Sequence, residues 1–225
     1  MPMKRSAVVL LSGGLDSSTL LYNLIFEDLE TFPLAVDYGQ RHGRELASAE
    51  AVAAYANRPL KIVNIGIALA PIFSAAASSQ VGKYEPVPHG HYAAENMRTT
   101  IVPNRNMLLL SIAGAYAASL GAGFIAYAAH AGDHAIYPDC RPEFVEAFAK
   151  ALFLANDPPI QLYAPFARIT KTDIVHRGAQ FGVPFRLTYS CYEGQAQHCG
   201  LCGTCVERRE AFREAGVEDP TGYGA

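Results

Sequence analysis

Residues 7–18 read Ala7-Val8-Val9-Leu10-Leu11-Ser12-Gly13-Gly14-Leu15-Asp16-Ser17-Ser18. The first five are apolar, with β-branched residues at the centre, as in a short buried strand. The run behind the motif, Thr19-Leu20-Leu21-Tyr22-Asn23-Leu24-Ile25, carries apolar side chains at helical spacing. A strand, a Gly-rich turn and a helix start therefore meet at residues 12–17. Glycine lets backbone approach a ligand closely, and the free N–H groups and dipole of a helix N-terminus attract phosphate. Ser12 and Ser17 add hydroxyl donors, and Asp16 is suited to hold magnesium against phosphate oxygens. A Gly-Gly turn capped by Ser or Asp is the plainer reading, but it does not call for the whole order of strand, serine, two glycines, aspartate, serine and helix.

The turn lacks the Gly-Lys-Ser/Thr ending of a Walker A loop and is not Gly-x-Gly-x-x-Gly. It resembles the pyrophosphate loop of the ATP pyrophosphatase superfamily, whose members cleave ATP between the α and β phosphates. Outward from it the chain alternates. Residues 32–36, 60–65, 124–129 and 160–164 read as strands, and residues 43–56, 106–120, 141–155 and 170–181 as helices. Residues 70–100 show little periodicity and read as a long loop or flap. Alternation of this kind predicts an α/β fold: a parallel sheet of about five strands with helices on both faces. Ligands then bind beyond the carboxyl ends of the strands.

A second signal lies near the C-terminus. Cys191, Cys199, Cys202 and Cys205 form C-x7-C-x2-C-x2-C, four of the chain's five cysteines. Residues 1–6 do not read as a signal peptide, so a cytoplasmic, reducing location is expected, and the cluster reads as a metal site. Four thiolates complete tetrahedral zinc with no open position, which argues for a structural ion. The rival is an iron–sulfur cluster, disfavoured because no Cys-Pro follows. His198 reads as a neighbour of the site, and Cys140 as a packed small hydrophobe. The expected division is a nucleotide-binding α/β domain over residues 1–186 and a zinc-binding segment over residues 187–225, packed on it.

With 225 residues, half of them apolar, the chain can bury one substantial core. A formal charge of −3 leaves no electrostatic footprint for nucleic acid, and no apolar run reaches membrane-spanning length. Four polar clusters remain, each at a strand or helix end. Asp37-Tyr38-Gly39-Gln40-Arg41-His42 follows the second strand and could line a nucleotide pocket or form a solvated turn. Pro103-Asn104-Arg105-Asn106 precedes a helix, where asparagine is an ordinary cap and Arg105 a phosphate or carboxylate partner. His130-Ala131-Gly132-Asp133-His134 leads into Tyr137-Pro138-Asp139-Cys140-Arg141. Thr170 caps the last helix, and Lys171 at its N-terminus opposes the dipole, which suits a phosphate ligand better than a helix stabiliser.

Together these clusters resemble the 7-cyano-7-deazaguanine synthase family of the queuosine pathway, from about residue 8 to residue 210. The family pattern has glycine where Asn104 stands, and Cys-Glu-Thr-Asp-Phe where residues 130–134 stand, with only Asp133 kept. The resemblance implies a C–N bond-forming ligase that converts 7-carboxy-7-deazaguanine and ammonia to the nitrile with ATP and Mg2+, over a structural Zn2+. It implies ATP contacts from Leu10, Leu11, Ser12, Gly13, Gly14, Leu15, Asp16, Ser17, Ser18, Asp37, Tyr38, Gln40 and Arg41. Catalytic roles fall to Asp16, Ser17, Arg105 and Lys171, and substrate contacts to Asp133, Asp139 and Arg141. Relatives suggest a homodimer. Other classes fit less well: another adenylating amide synthetase, a tRNA thiolase, which would need a persulfide-carrying cysteine near the loop, or a zinc-ribbon interaction module on a nucleotide-binding fold.

Overall fold

The computed structural model describes residues 5–41, 43–82 and 85–224; His42, the last residue of the first polar cluster, lies outside the described residues. Five parallel strands are ordered β3-β2-β1-β4-β5. They are β1 (Ser6–Leu10), β2 (Glu30–Asp37), β3 (Lys61–Asn64), β4 (Phe124–Ala126) and β5 (Gln161–Tyr163). Among the described residues, seven α-helices connect and flank them: α1 (Leu15–Phe26), α2 (Arg44–Tyr55), α3 (Gly66–Phe73), α4 (Arg105–Leu120), α5 (Pro142–Leu154), α6 (Lys171–Gln180) and α7 (Gly203–Ala215).

Strand β1 is central, paired with β2 on one side and β4 on the other. Its alternation sorts the core into two layers. Ala7, Val9 and Leu11 pack with Leu20, Leu21 and Leu24 of α1, Ile174 and Val175 of α6 and Phe212 of α7. Val8 faces the opposite way, toward Leu110 and Ala113 of α4 and Phe148 and Leu152 of α5. A strand covered on both faces has no room for polar side chains, which is why residues 7–11 are uniformly apolar. Each fully buried Leu or Val here contributes roughly 1.5–3 kcal/mol of burial.

From β1 the chain winds outward to β2 and β3, then crosses back to β4 and β5. The carboxyl ends of β1 and β4 therefore flank the point where the winding reverses, and a crevice opens there.

The structure differs from the sequence expectation at three places. The segment 70–100 is not wholly a loop: α3 occupies its start and a 3₁₀ turn, Glu95–Thr100, its end. Pro71 inside α3 cannot donate a backbone hydrogen bond, which hides that helix from a propensity reading. The strands β4 and β5 are shorter than the apolar runs that contain them. Helix α7 follows the last cysteines and packs its Ala211 and Phe212 into the core.

Candidate active site

The turn after β1 is held by its own side chains. Ser12 Oγ and Ser17 Oγ lie 3.0 Å apart, the Ser12 N–H donates to Ser17 Oγ at 3.2 Å, and the Gly14 N–H donates to Ser12 Oγ at 3.3 Å. The N-cap of α1 is Gly14, with no side-chain cap. The first N–H groups of α1 are thus left to an outside acceptor, as an anion site requires. The two glycines are not equivalent. Gly13 has φ +82°, and a Cβ there would lie 2.4 Å from both the Ala49 nitrogen and the Glu45 carbonyl oxygen of α2. At Gly14 φ is −74°, and a Cβ would meet nothing closer than 3.4 Å.

The turn opens onto a cavity of about 250 Å³ at the carboxyl ends of β1, β2 and β4. Leu10, Leu11, Ser12, Gly14, Leu15, Asp16 and Ser17 line it, joined by Tyr38, Gln40, Arg105, Asp133 and Lys171. Gly13 packs against α2 instead, and Ser18 is buried beneath the turn.

Lys171 begins α6. The helix end is satisfied without it, by a reciprocal pair in which Thr170 Oγ1 accepts from the Asp173 N–H and Asp173 Oδ2 accepts from the Thr170 N–H. The ammonium is therefore free to reach Asp16 at 3.3 Å and Glu207 at 2.5 Å. Burial disfavours its charge, but Asp16 and Glu207 outweigh that and raise its pKa, so Lys171 is held as a cation. Asp16 Oδ2 faces Lys171, while its buried Oδ1 has no hydrogen-bond partner. An orphaned carboxylate oxygen beside an open helix N-terminus fits a magnesium ion carried in on phosphate.

His130 ends the segment after β4 and is buried. Its Nδ1 accepts from the Gly132 N–H at 3.0 Å, and its Nε2 faces Asp133 at 3.6 Å and Asp16 and Glu207 at 3.8 Å. Across the cavity Arg105 is surrounded by Tyr38, Tyr192, Cys140 and Asp139. Burial opposes its charge, and these neighbours more than restore it.

Not every residue expected at the site reaches the cavity wall. Asp37 organises its own turn, accepting from the Gly39 N–H at 3.1 Å and from Asn64 Nδ2 at 2.7 Å. Arg41 donates to the carbonyls of Ser79 and Glu85 and anchors that stretch. Asp139 Oδ2 accepts from the Asn106 N–H at 3.0 Å, serving the start of α4 from a distant segment. Arg141 donates to the His134 carbonyl, and the residue is exposed. Asn104 has φ +58° and makes no side-chain cap. A left-handed residue is one that glycine adopts freely and asparagine tolerates, so the departure at this position preserves backbone geometry.

The cysteine segment supplies residues that the sequence reading missed. Tyr189, Tyr192, Thr204 and Glu207 line the cavity, and the Tyr189 N–H donates to the Gly13 carbonyl at 2.9 Å. Glu207 carried one faint signal, an acidic side chain on the face of α7 that also holds Ala211 and Gly203. The sulfurs of Cys191, Cys199, Cys202 and Cys205 all lie within 4.8 Å of one another and are placed to hold a metal ion. Backbone N–H groups of Leu201 and Cys202 donate to Cys199 Sγ, the turn that chelating cysteine pairs use. Thiols of Cys202 and Cys205 hydrogen-bond to Cys191 and push its pKa far down. His198 is not among the ligands: its Nε2 accepts from the Ser190 N–H at 3.1 Å, and burial lowers its pKa to about 4. Cys140 is packed in the second core layer.

This parallel sheet, with its uncapped helix start at the switch point, is the adenine nucleotide alpha hydrolase fold. An NMN synthetase from Francisella tularensis superposes with a TM-score of 0.51 at 15% identity, covering 96% of this chain and 79% of that one. A 4-thiouridine synthetase, solved with RNA and bound ATP, gives 0.51 at 16% identity over 94% of this chain and 50% of that one. These likenesses bear on the fold alone.

The family model described as queuosine biosynthesis protein QueC matches residues 6–216, and the chain belongs to that family. Relatives named 7-cyano-7-deazaguanine synthase are 48% identical in Methanoregula boonei, over 96% of this chain and 98% of the relative. In Caldicellulosiruptor bescii the identity is 49%, over 96% of each. The chain is accordingly an enzyme of the C–N bond-forming ligase type.

Proposed function

We propose that the enzyme converts 7-carboxy-7-deazaguanine and ammonia, at the expense of ATP, to 7-cyano-7-deazaguanine through two adenylated intermediates. The observation that carries this reading is the uncapped N-terminus of α1, with Lys171 beside it 3.3 Å from Asp16, on the wall of the cavity at the switch point. A carboxylate is a poor acyl donor because its oxygen leaves poorly. Attack of that oxygen on the α-phosphorus of ATP expels pyrophosphate and makes the oxygen part of a phosphate ester. Ammonia then adds to the carbonyl carbon, AMP leaves, and a proton is lost to give the amide. The amide oxygen attacks the α-phosphorus of a second ATP and expels a second pyrophosphate, and loss of AMP and of the two remaining N–H protons leaves the nitrile.

The turn at residues 12–17 receives the β and γ phosphates as they become pyrophosphate. Lys171 and Arg105 stabilise charge that grows in the transition state, the largest usual catalytic contribution. Asp16 would hold magnesium, which would neutralise phosphate charge. Asp133 stands where it can touch the ring substrate. The four cysteines take structural zinc: sulfurs about 2.3 Å from a tetrahedral ion lie roughly 3.8 Å apart, and Cys199 and Cys205 are separated by 3.9 Å. The reading carries with it a cytoplasmic homodimer, with residues 187–225 as the metal-binding segment of one compact enzyme.

The test is pyrophosphate release with ATP, ammonia and the carboxy-deazaguanine, each omitted in turn. Release that needs the deazaguanine supports the reading. Release with other carboxylic acids but not this one points to a different adenylating synthetase.

A further inference from the structure

Among the described residues, four carboxylates reach the cavity wall: Asp16, Glu45, Asp133 and Glu207. Three are engaged. Asp16 and Glu207 pair with Lys171, and Asp133 accepts from the His130 N–H at 3.2 Å and faces the imidazole. Glu45, in the first turn of α2, makes no hydrogen bond or ion pair with the described residues. The titratable groups facing it are Arg105 from α4 and Tyr38 from the end of β2. An unpartnered carboxylate in a cavity wall is costly unless a ligand supplies donors.

The two ring systems of the proposed reaction differ in what they offer. Adenine presents an amino donor beside a ring-nitrogen acceptor. A guanine-type ring presents a ring N–H and an amino group side by side, two donors that one carboxylate accepts together. The carboxylate therefore suits the deazaguanine and not the adenine.

Building on the function proposed above, we propose that Glu45 is the specificity-determining residue that reads the N–H and amino edge of the deazaguanine ring. Asp139, the other acidic residue considered for that role, is spent on the start of α4.

Burial raises the Glu45 pKa to about 7, with Arg105 pulling the other way. The protonated acid cannot accept both donors, so substrate binding requires its ionised form. The sign follows. Affinity is full above about pH 7 and falls about tenfold for each pH unit below it.

The experiment measures KM for the carboxy-deazaguanine and for ATP between pH 6 and 8.5, in wild type, Glu45→Gln and Glu45→Asp. Glu45→Gln should raise the deazaguanine KM about ten- to a hundredfold, leave the ATP KM within about twofold, and abolish the pH dependence of the former. Glu45→Asp should keep that pH dependence with weaker binding. An unchanged deazaguanine KM, an equal rise in the ATP KM, or a wild-type KM flat across pH 6–8 overturns the assignment. Glu45→Asp, which keeps a carboxylate at the position, supplies the readout where Glu45→Gln fails to fold. Active wild type with an unaffected Glu45→Gln overturns the role of Glu45 alone. Wild type that releases no pyrophosphate with the deazaguanine overturns the reaction and this role together.

Discussion

Gly13 and Gly14 look interchangeable in sequence, and the structure predicts opposite outcomes for adding one methyl group to each. Gly13→Ala places a Cβ 2.4 Å from two backbone atoms of α2 and 2.8 Å from Ser48 Cβ, at φ +82°. Backbone atoms in the middle of a helix cannot step aside cheaply. The left-handed conformation alone costs about 1–2 kcal/mol for alanine, and overpacking adds about 1–3 kcal/mol. The substitution should therefore destabilise by about 2–5 kcal/mol, which for a chain of this length lowers Tm by about 4–20 °C. Gly14→Ala meets nothing closer than Ser12 Oγ at 3.4 Å and the Tyr189 carbonyl oxygen at 3.7 Å, both ordinary contacts, and should move Tm by no more than about 2 °C. Its effect should fall on ATP, because a methyl group there intrudes on the cavity. Thermal melts of both variants, with ATP titration of the second, separate the two effects. Equal melting temperatures for the two variants would refute the claim that the turn is docked on α2 through Gly13.

Arg208 is buried and paired with Asp219 at 3.1 Å, and also donates to Thr188. Arg208→Ala should cost about 3–5 kcal/mol in denaturant unfolding by stranding that carboxylate, and a loss below about 1 kcal/mol would contradict it. Burial works against the Asp219 charge, but Arg208 and the Tyr223 hydroxyl hold its carboxyl below the usual carboxylate range. Its contribution is thus present above about pH 3.9 and lost as pH falls through the lowered folded value, so Asp219→Asn should flatten the acid limb of a stability–pH curve. Asn104→Gly should leave stability within about 0.5 kcal/mol, whereas Asn104→Val, at φ +58°, should lose about 1–2 kcal/mol. Removing the metal, by Cys202→Ser or a chelator, should lower Tm and slow turnover together, because Glu207 and the Tyr189 contact to the turn hang on the same segment; a drop in Tm with full turnover would disconnect them.

The central strand, the Gly-rich turn and the cysteine cluster are legible because each is local. Residues 7–11 are apolar in a way only a doubly covered strand needs, and three of the four cysteines sit within one turn-rich stretch. What could not be read depends on distant partners. Asp139 looks like a substrate ligand until α4 arrives with an uncapped start. Asp37 looks like a pocket residue until Asn64 of β3 stands beside it. Glu45 lies in a helix whose outward face also carries charge, and nothing local marks it as facing a cavity; Glu207 shares a face of α7 with Gly203 and Ala211, a faint signal only. Helix α3 was obscured by Pro71, and the ends of β4 and β5 by apolar residues that continue past the last ladder bond. Lys171, which lines the cavity, stands out in the sequence because a cation at a helix N-terminus goes against the dipole preference, which is a local rule.

The count of pyrophosphates per nitrile tests the central claim most directly. With limiting 7-carboxy-7-deazaguanine and excess ATP and ammonia, two pyrophosphates and two AMP should form for each 7-cyano-7-deazaguanine, with the amide appearing first and then consumed. ADP and inorganic phosphate as products, or one pyrophosphate per nitrile with no amide on the way, would contradict it.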